Sequence, residues 1–496
     1  MKTFLPAFIL VLLCVSCSNT EYIDNKKIAK VNLENKTLES NNIKNKLPHN
    51  IIMVIGDGMG PAFTSAYRFY KDNPLTKKIE KTVFDRHIVG SATTYPDPIS
   101  GYITDSGAAA TALATGVKTF NDAVAVDIDK KDLQTVLEWA KLQGKKTSVV
   151  VTSQINHATP ASYLAHNEYR KNFNAIANSY IDDGFKADVY LGGGWEYFIR
   201  EDRNLVNEFI NSGFHYIDKY QDLDNIPNNK PLLGLFDDIG LPWAADDTDK
   251  NRLATLTKSA VQHLENLQAH DNEPDNGFFM LVEGSQIDWA GHMRDVVSAM
   301  AEMDDLAKTI EYLETYVSSN PDTLVIITAD HSTGGLALGK RTGYLNKKVQ
   351  SKYVWQPDFI RNINMSSEGI AKKIAHKDLS VSDINSLLTF KITDEEFDSI
   401  NVSKIEGKII ANNYRNLPIE LQTIEYPPED HSLILETLKE IIDNKTNTSW
   451  GSISKSGSHN ALDVQVFAFG ANSELFTGFQ DNTDIGKKIF KLLGKQ

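Results

Sequence analysis

The chain has 496 residues, of which 41% are hydrophobic and 23% are charged, and its formal net charge is -14 at pH 7. These fractions are typical of a globular protein, and the length suits two or three average domains or one α/β domain enlarged by insertions. The acidic balance argues against a nucleic-acid partner, because the chain has no basic surplus with which to neutralise phosphates.

The N-terminus predicts an export signal over residues 1–16. Lys2 is followed by an apolar run, Phe4 to Val15, that is too short to span a bilayer comfortably. The run leads into Cys14-Val15-Ser16-Cys17, which resembles a bacterial lipobox. That resemblance implies cleavage before Cys17, a lipid on its thiol, and export to a bacterial membrane, facing the periplasm or the cell surface. An ordinary cleaved signal peptide is the alternative.

The remaining N-terminal residues predict a linker and no covalent cross-links. Both cysteines of the chain, Cys14 and Cys17, lie in the signal segment, so we expect no internal disulfide in the mature protein. Residues 17–48 are rich in Asn, Lys, Glu and Ser, which is the composition of a flexible tether. We therefore expect one folded domain over residues 49–496.

Apolar runs of strand length recur along the chain and alternate with amphipathic helices, including those predicted at 257–269 and 297–317. Such runs are typical of strands buried on both faces, as in a parallel sheet. We therefore predict an α/β fold with a mostly parallel central sheet flanked by helices. Residues 340–449 lack such runs and are predicted to form a large surface insertion with its own helices. The predicted strands lie at residues 50–55, 87–95, 149–151, 187–191, 277–282, 323–328 and 464–469.

Polar side chains lie close to most of these strands. In open α/β sheets ligands bind beyond the carboxyl ends of the strands, so we expect these groups to converge. Carboxylates with imidazoles suit Zn²⁺, and carboxylates with a hydroxyl suit Mg²⁺. Taken singly, an acid in a glycine turn or one His–Asp pair is usually structural. The candidate ligands are Asp57, Thr159, Glu283, Asp288, His292, Asp330, His331 and His459.

Ser106 lies between Asp105 and a run of small residues that predicts a tightly packed helix. The first N–H groups of a helix form an anion site, and serine is also a common N-cap there. We expect Ser106 to be both the cap of this helix and a nucleophile whose hydroxyl is ionised by nearby metal ions.

Six sequence motifs resemble, in order, those of the alkaline phosphatase family. They are Ile55 to Gly60, Asp105 to Ala108, His157 to Pro160 with Arg170, Val282 to Asp288, Thr328 to His331, and His459. The resemblance implies an alkaline-phosphatase-like fold and the hydrolysis of small-molecule phosphate monoesters through a phosphoserine on Ser106. His157 and Trp289 stand where some members have an acid and a lysine that touch phosphate-bound water, so the resemblance implies that both lie beside the substrate. This combination is similar to marine and cold-adapted bacterial members.

The resemblance also implies two Zn²⁺ ions and one Mg²⁺. Asp288, His292 and His459 would hold the first zinc. Asp57, Asp330, His331 and the Ser106 oxygen would hold the second, and Asp57, Thr159 and Glu283 the magnesium. Around them Arg170 would bind phosphate, Asp105 would orient Arg170, and His166 would support the site. The insertion is similar to a surface loop that contributes to the subunit contact in some members, which implies a homodimer.

The sequence disfavours a sulfatase and leaves two other functions open. A sulfatase needs Cys or Ser followed by Pro and Arg, which Ser106-Gly107-Ala108-Ala109 lacks. A phosphodiesterase or another two-metal hydrolase stays open, although Arg170 and the magnesium ligands favour a monoester. A lipid-anchored phosphate-binding surface protein without turnover also stays open, although the residues for all three ion positions are present.

Overall fold

A computed structural model describes residues 47–271, 274–342, 352–422, 427–451 and 458–495. The predicted signal peptide and nearly all of the predicted tether lie outside these ranges. From Pro48 onward the chain forms one compact unit. Within the described residues, no helix combines the length and the apolar character that a membrane span requires.

A ten-stranded sheet forms the centre of this unit. Its spatial order is β10-β2-β9-β8-β1-β7-β3-β4-β6-β5, and every neighbouring pair is parallel except the two pairs that β9 makes, with β2 and β8. The predicted α/β class with a mostly parallel sheet is therefore confirmed. The strands are β1 (Asn50–Gly56), β2 (Ile88–Thr93), β3 (Lys146–Gln154), β4 (Val189–Gly193), β5 (His215–Ile217), β6 (Leu232–Leu235), β7 (Phe278–Gly284), β8 (Thr323–Thr328), β9 (Val464–Gly470) and β10 (Gly478–Asp481).

The central strands are apolar because both of their faces are covered. Every residue of β1, β7 and β8 is buried. Val54 of β1 lies between Val282 of β7 and Ile327 of β8, so the three apolar runs form one layer of the core. Burial of side chains of this size contributes about 1.5–3 kcal/mol each, which fixes the register of the strands that carry the site. The short strands β5, β6 and β10 were not predicted.

Helices cover both faces of the sheet, and the two predicted amphipathic helices are present as α9 and α11. The helices are α1 (Pro61–Lys71), α2 (Val83–His87), α3 (Ser106–Thr115), α4 (Val136–Leu142), α5 (Ala158–Leu164), α6 (Phe173–Asp182), α7 (Trp195–Phe198), α8 (Leu205–Asn211), α9 (Arg252–His270), α10 (Gln286–Met293), α11 (Val296–Ser319), α12 (Ser367–His376), α13 (Val381–Leu388), α14 (Asp394–Arg415), α15 (Ser432–Thr446) and α16 (Asn482–Leu492).

The interval 340–449 contains helices α12 to α15. The chain enters it after a short strand, Leu336–Leu338, and leaves it through another, Thr448–Trp450. These two strands pair in antiparallel fashion, so the two ends of the interval lie side by side. A second short pair, Ser332–Thr333 with His459–Asn460, lies next to the central sheet and brings the segment before β9 towards the end of β8.

Candidate active site

The candidate site lies at the edge where the parallel strands end. Asp57 follows β1 and Asp330 follows β8, while Glu283 is the penultimate residue of β7. His459 reaches the same edge for a different reason. Because β9 is antiparallel to its neighbours, its beginning, not its end, lies at this edge, and His459 pairs there with Thr333.

Ser106 is the first residue of α3, and its predicted role as the N-cap is wrong. Asp105 is the cap: its backbone is extended, and its Oδ1 accepts a hydrogen bond of 3.0 Å from the N–H of Ala108. The Ser106 hydroxyl is therefore not used for capping and lies 3.1 Å from Nε2 of His331. The neighbouring Gly107 is required by close packing, because a Cβ there would lie 2.7 Å from the carbonyl oxygen of Ala123.

The first predicted ligand group converges on α10. Asp288 and His292 lie one turn apart, with 3.3 Å between Oδ2 and Nε2. Nε2 of His459 lies 3.1 Å from Nε2 of His292 and 3.6 Å from Oδ1 of Asp288. His331 also reaches this group, since one ligand atom each from Asp288, His331 and His459 lies within 4.8 Å of the others. These donors fit a zinc ion.

The second predicted group is formed by Asp57, Asp330 and His331, whose ligand atoms lie within 4.8 Å of one another. Nε2 of His331 is 3.5 Å from Oδ1 of Asp57 and 3.2 Å from Oδ2 of Asp330. The other oxygen of Asp330 accepts the backbone N–H groups of Gly58 and His331, which directs Oδ2 towards the group. Gly58 has a φ of 70°, and a Cβ there would collide with Asp288.

The third group contains His157, which the sequence predicts beside the substrate and not among the metal ligands. Asp57 and Glu283 lie as predicted, and the Thr159 hydroxyl is 3.5 Å from Oδ2 of Asp57. His157 lies with these two acids in a group whose ligand atoms are all within 4.8 Å. The structure therefore makes His157 a candidate ligand of the third position as well as a neighbour of Arg170.

The three groups fit metal ions because their buried oxygens lack other partners. Oδ1 of Asp57, Oε1 of Glu283 and Oδ2 of Asp330 are buried with no hydrogen-bond partner among the described residues. Burial, followed by the charge of Asp330, raises the pKa of Asp57 well above its usual value, and burial raises the pKa of Asp330 to about 7. Orphaned, mutually repelling carboxylates of this kind are what a bound cation stabilises.

In two other candidate ligands, Asp288 and His331, the surroundings lower the pKa. Burial opposes the charge of Asp288, but the charge and hydrogen bond of His292 hold the pKa of Asp288 well below its usual value. Burial, followed by the charge of His459, lowers the pKa of His331 well below its usual value. His331 is therefore neutral, which is the form that binds a metal.

Arg170 is held beside Ser106 by two partners. Its Nη1 donates to Oδ2 of Asp105 at 2.8 Å, and its Nη2 donates to Nε2 of His157 at 3.2 Å. Burial and then the charge of Arg170 lower the pKa of His157 to about 3, so the imidazole is neutral and can accept this bond. The Trp289 ring meets the His157 ring edge-on, with 6.0 Å between centroids.

His166 contacts a different part of the structure from the predicted ligands. Its Nδ1 lies 2.9 Å from the carbonyl oxygen of Ala125 and its Nε2 2.9 Å from Glu138. The N–H of Ala125 in turn donates to the Thr111 hydroxyl on α3. Through Ala125, His166 is therefore linked to the helix that begins with Ser106.

Several residues of the site were missed from the sequence. Thr333 donates to Oδ1 of Asp288, and its hydroxyl lies 3.1 Å from Nδ1 of His331. Ser285 donates to Oε2 of Glu283 at 2.7 Å. Both hydroxyls lie two residues after a ligand, and this spacing is the signal that could have identified them.

Asn121 was also missed, and no local pattern indicates it. Its Nδ2 donates to the carbonyl oxygen of Ile103, and its Oδ1 accepts the N–H of Asp105. It thereby clamps the segment around Thr104, whose carbonyl oxygen lies 2.8 Å from Nδ1 of His459.

Comparison with known proteins agrees with this geometry. A family model described as alkaline phosphatase matches residues 48–495. Alkaline phosphatases 3 and 4 of Bacillus subtilis (strain 168) are each 40% identical to the chain, over 90% of this chain and 88% of the relative. The crystal structure of a cold-active alkaline phosphatase from the psychrophile Shewanella sp. is 42% identical, has a TM-score of 0.77, and aligns with 90% of this chain and 99% of that chain.

A more distant structure shows the same fold. The alkaline phosphatase of Thermus thermophilus is 24% identical, has a TM-score of 0.71, and aligns with 91% of this chain and 92% of that chain. The match of the family model through residues 48–495 contains every candidate ligand. The chain therefore belongs to the alkaline phosphatase family, as an enzyme of metal-dependent phosphate monoester hydrolysis.

Proposed function

We propose that the enzyme hydrolyses small-molecule phosphate monoesters through a phosphoserine on Ser106, with two Zn²⁺ ions and one Mg²⁺. The observation that carries this proposal is the position of the Ser106 hydroxyl, 3.1 Å from Nε2 of His331 among three converging ligand groups. The first two groups combine carboxylates with imidazoles and suit zinc, whereas Asp57, Glu283 and the Thr159 hydroxyl supply oxygens for magnesium.

When bound, the ions would neutralise charge on the phosphate oxygens and favour the ionised form of coordinated hydroxyls. Ser106 Oγ, whose proton is lost to solvent, attacks phosphorus, so that an Oγ–P bond forms and the bond to the ester oxygen breaks; the ester oxygen takes a proton from solvent and leaves as the alcohol. Water then attacks the phosphoserine, the Oγ–P bond breaks, Ser106 Oγ regains a proton, and inorganic phosphate leaves. Ser106 lies at the positive end of the α3 dipole, which favours negative charge at this point.

Arg170 binds the phosphate in this proposal. Its planar guanidinium can donate to two phosphate oxygens, and the Asp105 bond holds the plane in position. Burial opposes the charge of Arg170, but Asp105 raises the pKa of Arg170 above its usual value, so the group stays cationic. Neutral His157 accepts a hydrogen bond from Arg170 and adds no charge of its own.

The test compares purified mature protein with its Ser106→Ala variant. The metal-loaded enzyme should release phosphate from an aryl phosphate between about pH 8 and 10, where a metal-ionised hydroxyl is available. Ser106→Ala should lose nearly all turnover while its metal content stays similar. Comparable turnover in the variant would refute the role of Ser106, and faster hydrolysis of a bis-aryl phosphate would favour a diesterase.

Metal analysis by mass spectrometry tests the ion assignment. We expect two zinc ions and one magnesium ion per chain. Because His157 lies within 4.8 Å of the ligand atoms of Asp57 and Glu283, it offers a nitrogen that magnesium does not need. A third zinc in place of magnesium would refute the magnesium assignment and favour coordination by His157.

We also propose that the protein is exported and anchored to a bacterial membrane by a lipid on Cys17. The support is the lipobox-like Cys14-Val15-Ser16-Cys17 at the end of the apolar run. Metabolic labelling with a radioactive fatty acid should label the protein, and Cys17→Ser should abolish the label. Retained label in that variant would contradict the assignment.

A homodimer is proposed from the surface of α14. Val402, Ile405 and Ile409 follow one another at spacings of three and four residues on that helix and are 52%, 63% and 54% exposed. An apolar stripe of this kind suits a contact with a second copy. Light scattering should give the mass of a dimer, and Ile405→Glu should shift it towards a monomer. A monomeric unaltered protein would refute the proposal.

A further inference from the structure

Helix α10 carries two ligands of the first metal group and ends directly after the second. Asp288 lies in its first turn, His292 in its last, and Met293 is its final residue. The last carbonyl groups of a helix have no partner within the helix, so other groups must hold them. Whatever holds the end of α10 therefore also holds His292 in place.

The end of α10 turns sharply into α11. Arg294 adopts a left-handed conformation, with φ 54° and ψ 44°, and Asp295 then caps α11 by accepting the N–H of Val297. A non-glycine residue in this conformation carries strain that its surroundings must support. The contacts made by residues 293–295 are thus the place to look for a support of the metal ligands.

Two helices of the interval 340–449 contact this turn. On α15, Nζ of Lys439 donates to the carbonyl oxygen of Met293 at 2.6 Å and to Oε1 of Glu436 at 2.6 Å. The other oxygen of Glu436 accepts a hydrogen bond of 3.1 Å from Nη2 of Arg294. Glu436 thereby joins the lysine on the helix end to the residue that makes the turn.

The third residue of the turn is held from α12. The Ser367 hydroxyl donates to Oδ1 of Asp295 at 2.7 Å. Each of the residues 293–295 therefore receives a side-chain contact from the interval, although Lys439 and Met293 are 146 positions apart in the sequence.

Lys439 is the central residue of these contacts. It is 6% exposed, so its ammonium group is held in a largely dry place where an unpaired charge is costly. A cation at a helix C-terminus also interacts favourably with the helix dipole. Without Lys439, the Met293 carbonyl and the Glu436 carboxylate would both lose a partner.

We infer that Lys439 is a positioning residue for the first metal group, and that the interval 340–449 serves the site by bracing α10. The inference rests on the proposed function, because it assumes that Asp288, His292 and His459 hold a zinc ion. Its consequence is that a contact far from the reacting atoms controls how long that ion is retained.

The test compares Lys439→Met with Lys445→Met in the full mature, metal-loaded protein. Methionine keeps the apolar stem of lysine and removes the charge. Lys445 lies on the same helix and pairs with Glu396 of α14 at 2.9 Å, so its variant breaks an ion pair within the interval and leaves the turn untouched. We expect Lys439→Met to release one zinc per chain to a coloured chelator about tenfold faster than the unaltered protein, the lower end of outer-partner effects. Lys445→Met should stay within about twofold.

Turnover supplies a second measurement. Lys439→Met should lower kcat and leave KM within about twofold, because Arg170 is not altered, and added zinc should restore kcat. If Lys439 had a merely structural role, both variants would have a lower melting temperature and would release zinc at the same rate. Equal release from the two variants would overturn the inference.

Two further outcomes keep the test decisive. If Lys439→Met does not fold, Glu436→Gln replaces it, since it leaves the Met293 contact and removes the charge that joins Lys439 to Arg294. Faster zinc release from Glu436→Gln supports the brace, and unchanged release refutes it. If the unaltered protein binds no zinc and shows no turnover, the proposed function is refuted. If it binds zinc, and Lys439→Met and Lys445→Met release zinc at equal rates, only the inference about Lys439 is refuted.

Discussion

Thr333 is expected to fix ligands of two metal groups at once. Its hydroxyl donates to Oδ1 of Asp288 at 2.5 Å and lies 3.1 Å from Nδ1 of His331. A hydroxyl has one proton, so with that proton on the Asp288 bond its lone pair accepts from an N–H at Nδ1 of His331. This tautomer leaves Nε2 of His331 unprotonated and facing the second metal group.

Thr333→Val keeps the shape of the side chain and deletes both bonds. Thr333 and His331 are both fully buried, so water cannot replace the lost hydroxyl at His331. An unsatisfied buried donor costs about 1–3 kcal/mol, and each 1.4 kcal/mol is a factor of ten. Loss of an outer partner of a metal ligand independently weakens binding about 10–100-fold. We therefore expect about tenfold or more weaker metal binding in both of the first two groups.

Chelator competition on the purified protein measures this effect, and Thr333→Ser is the matched control because it retains the hydroxyl. The valine variant should lose two ions at chelator concentrations at which the serine variant retains them. Equal affinities in the two variants would show that the hydroxyl neither fixes the tautomer of His331 nor orients Asp288.

Three further changes have defined outcomes. Arg252→Met should lower the free energy of unfolding by about 3–5 kcal/mol, because removal of this fully buried cation leaves three buried acids without their ion-pair partner; an unchanged melting temperature would contradict this. Gly107→Ala should lower kcat about 100-fold, since its Cβ would lie 2.7 Å from the Ala123 oxygen and displace the nucleophile; steady-state kinetics at saturating metal check it, and an unchanged kcat would rule out the displacement. Burial raises the pKa of Glu283 from 4.5 to about 8, so the folded metal-free protein holds a proton that the unfolded chain releases. Its stability should fall as pH rises from about 4.5 to about 8, and thermal scans should show the gap between metal-loaded and chelated protein widening over that window; a constant gap would refute it.

The positions of the ligands could be predicted where they depend on local sequence. Asp57 and Asp330 follow fully apolar runs, and such runs predict parallel strands whose ends meet at one edge. Asp288 and His292 are one helical turn apart, so their shared face follows from helix geometry alone. These features need no knowledge of distant contacts, and the structure places all four residues accordingly.

The remaining features depend on contacts that no local pattern records. His459 precedes β9 in the sequence, and it reaches the site because β9 runs antiparallel to its neighbours. An apolar run does not indicate the direction of its strand. The sequence cannot distinguish Ser106 from Asp105 as the cap, because serine and aspartate cap helices about equally well. The backbone at Asp105, with φ -100° and ψ 173°, decides between them. Asn121 and Lys439 act across long sequence separations and gave no signal at all.

The acidic site also explains how this fold and its metals depend on each other. Asp57, Glu283, Asp288 and Asp330 are each at most 4% exposed, and Arg170 already bonds Asp105. The protein therefore brings four carboxylates together with less positive charge than they need, and burial raises the pKa of most of them. Such a cluster destabilises the metal-free fold and stabilises bound cations by the same interactions, so the free energy of metal binding becomes free energy of folding. In a mature chain expected to lack internal disulfides, ions bound by these carboxylates would also hold the ends of β1, β7 and β8 together.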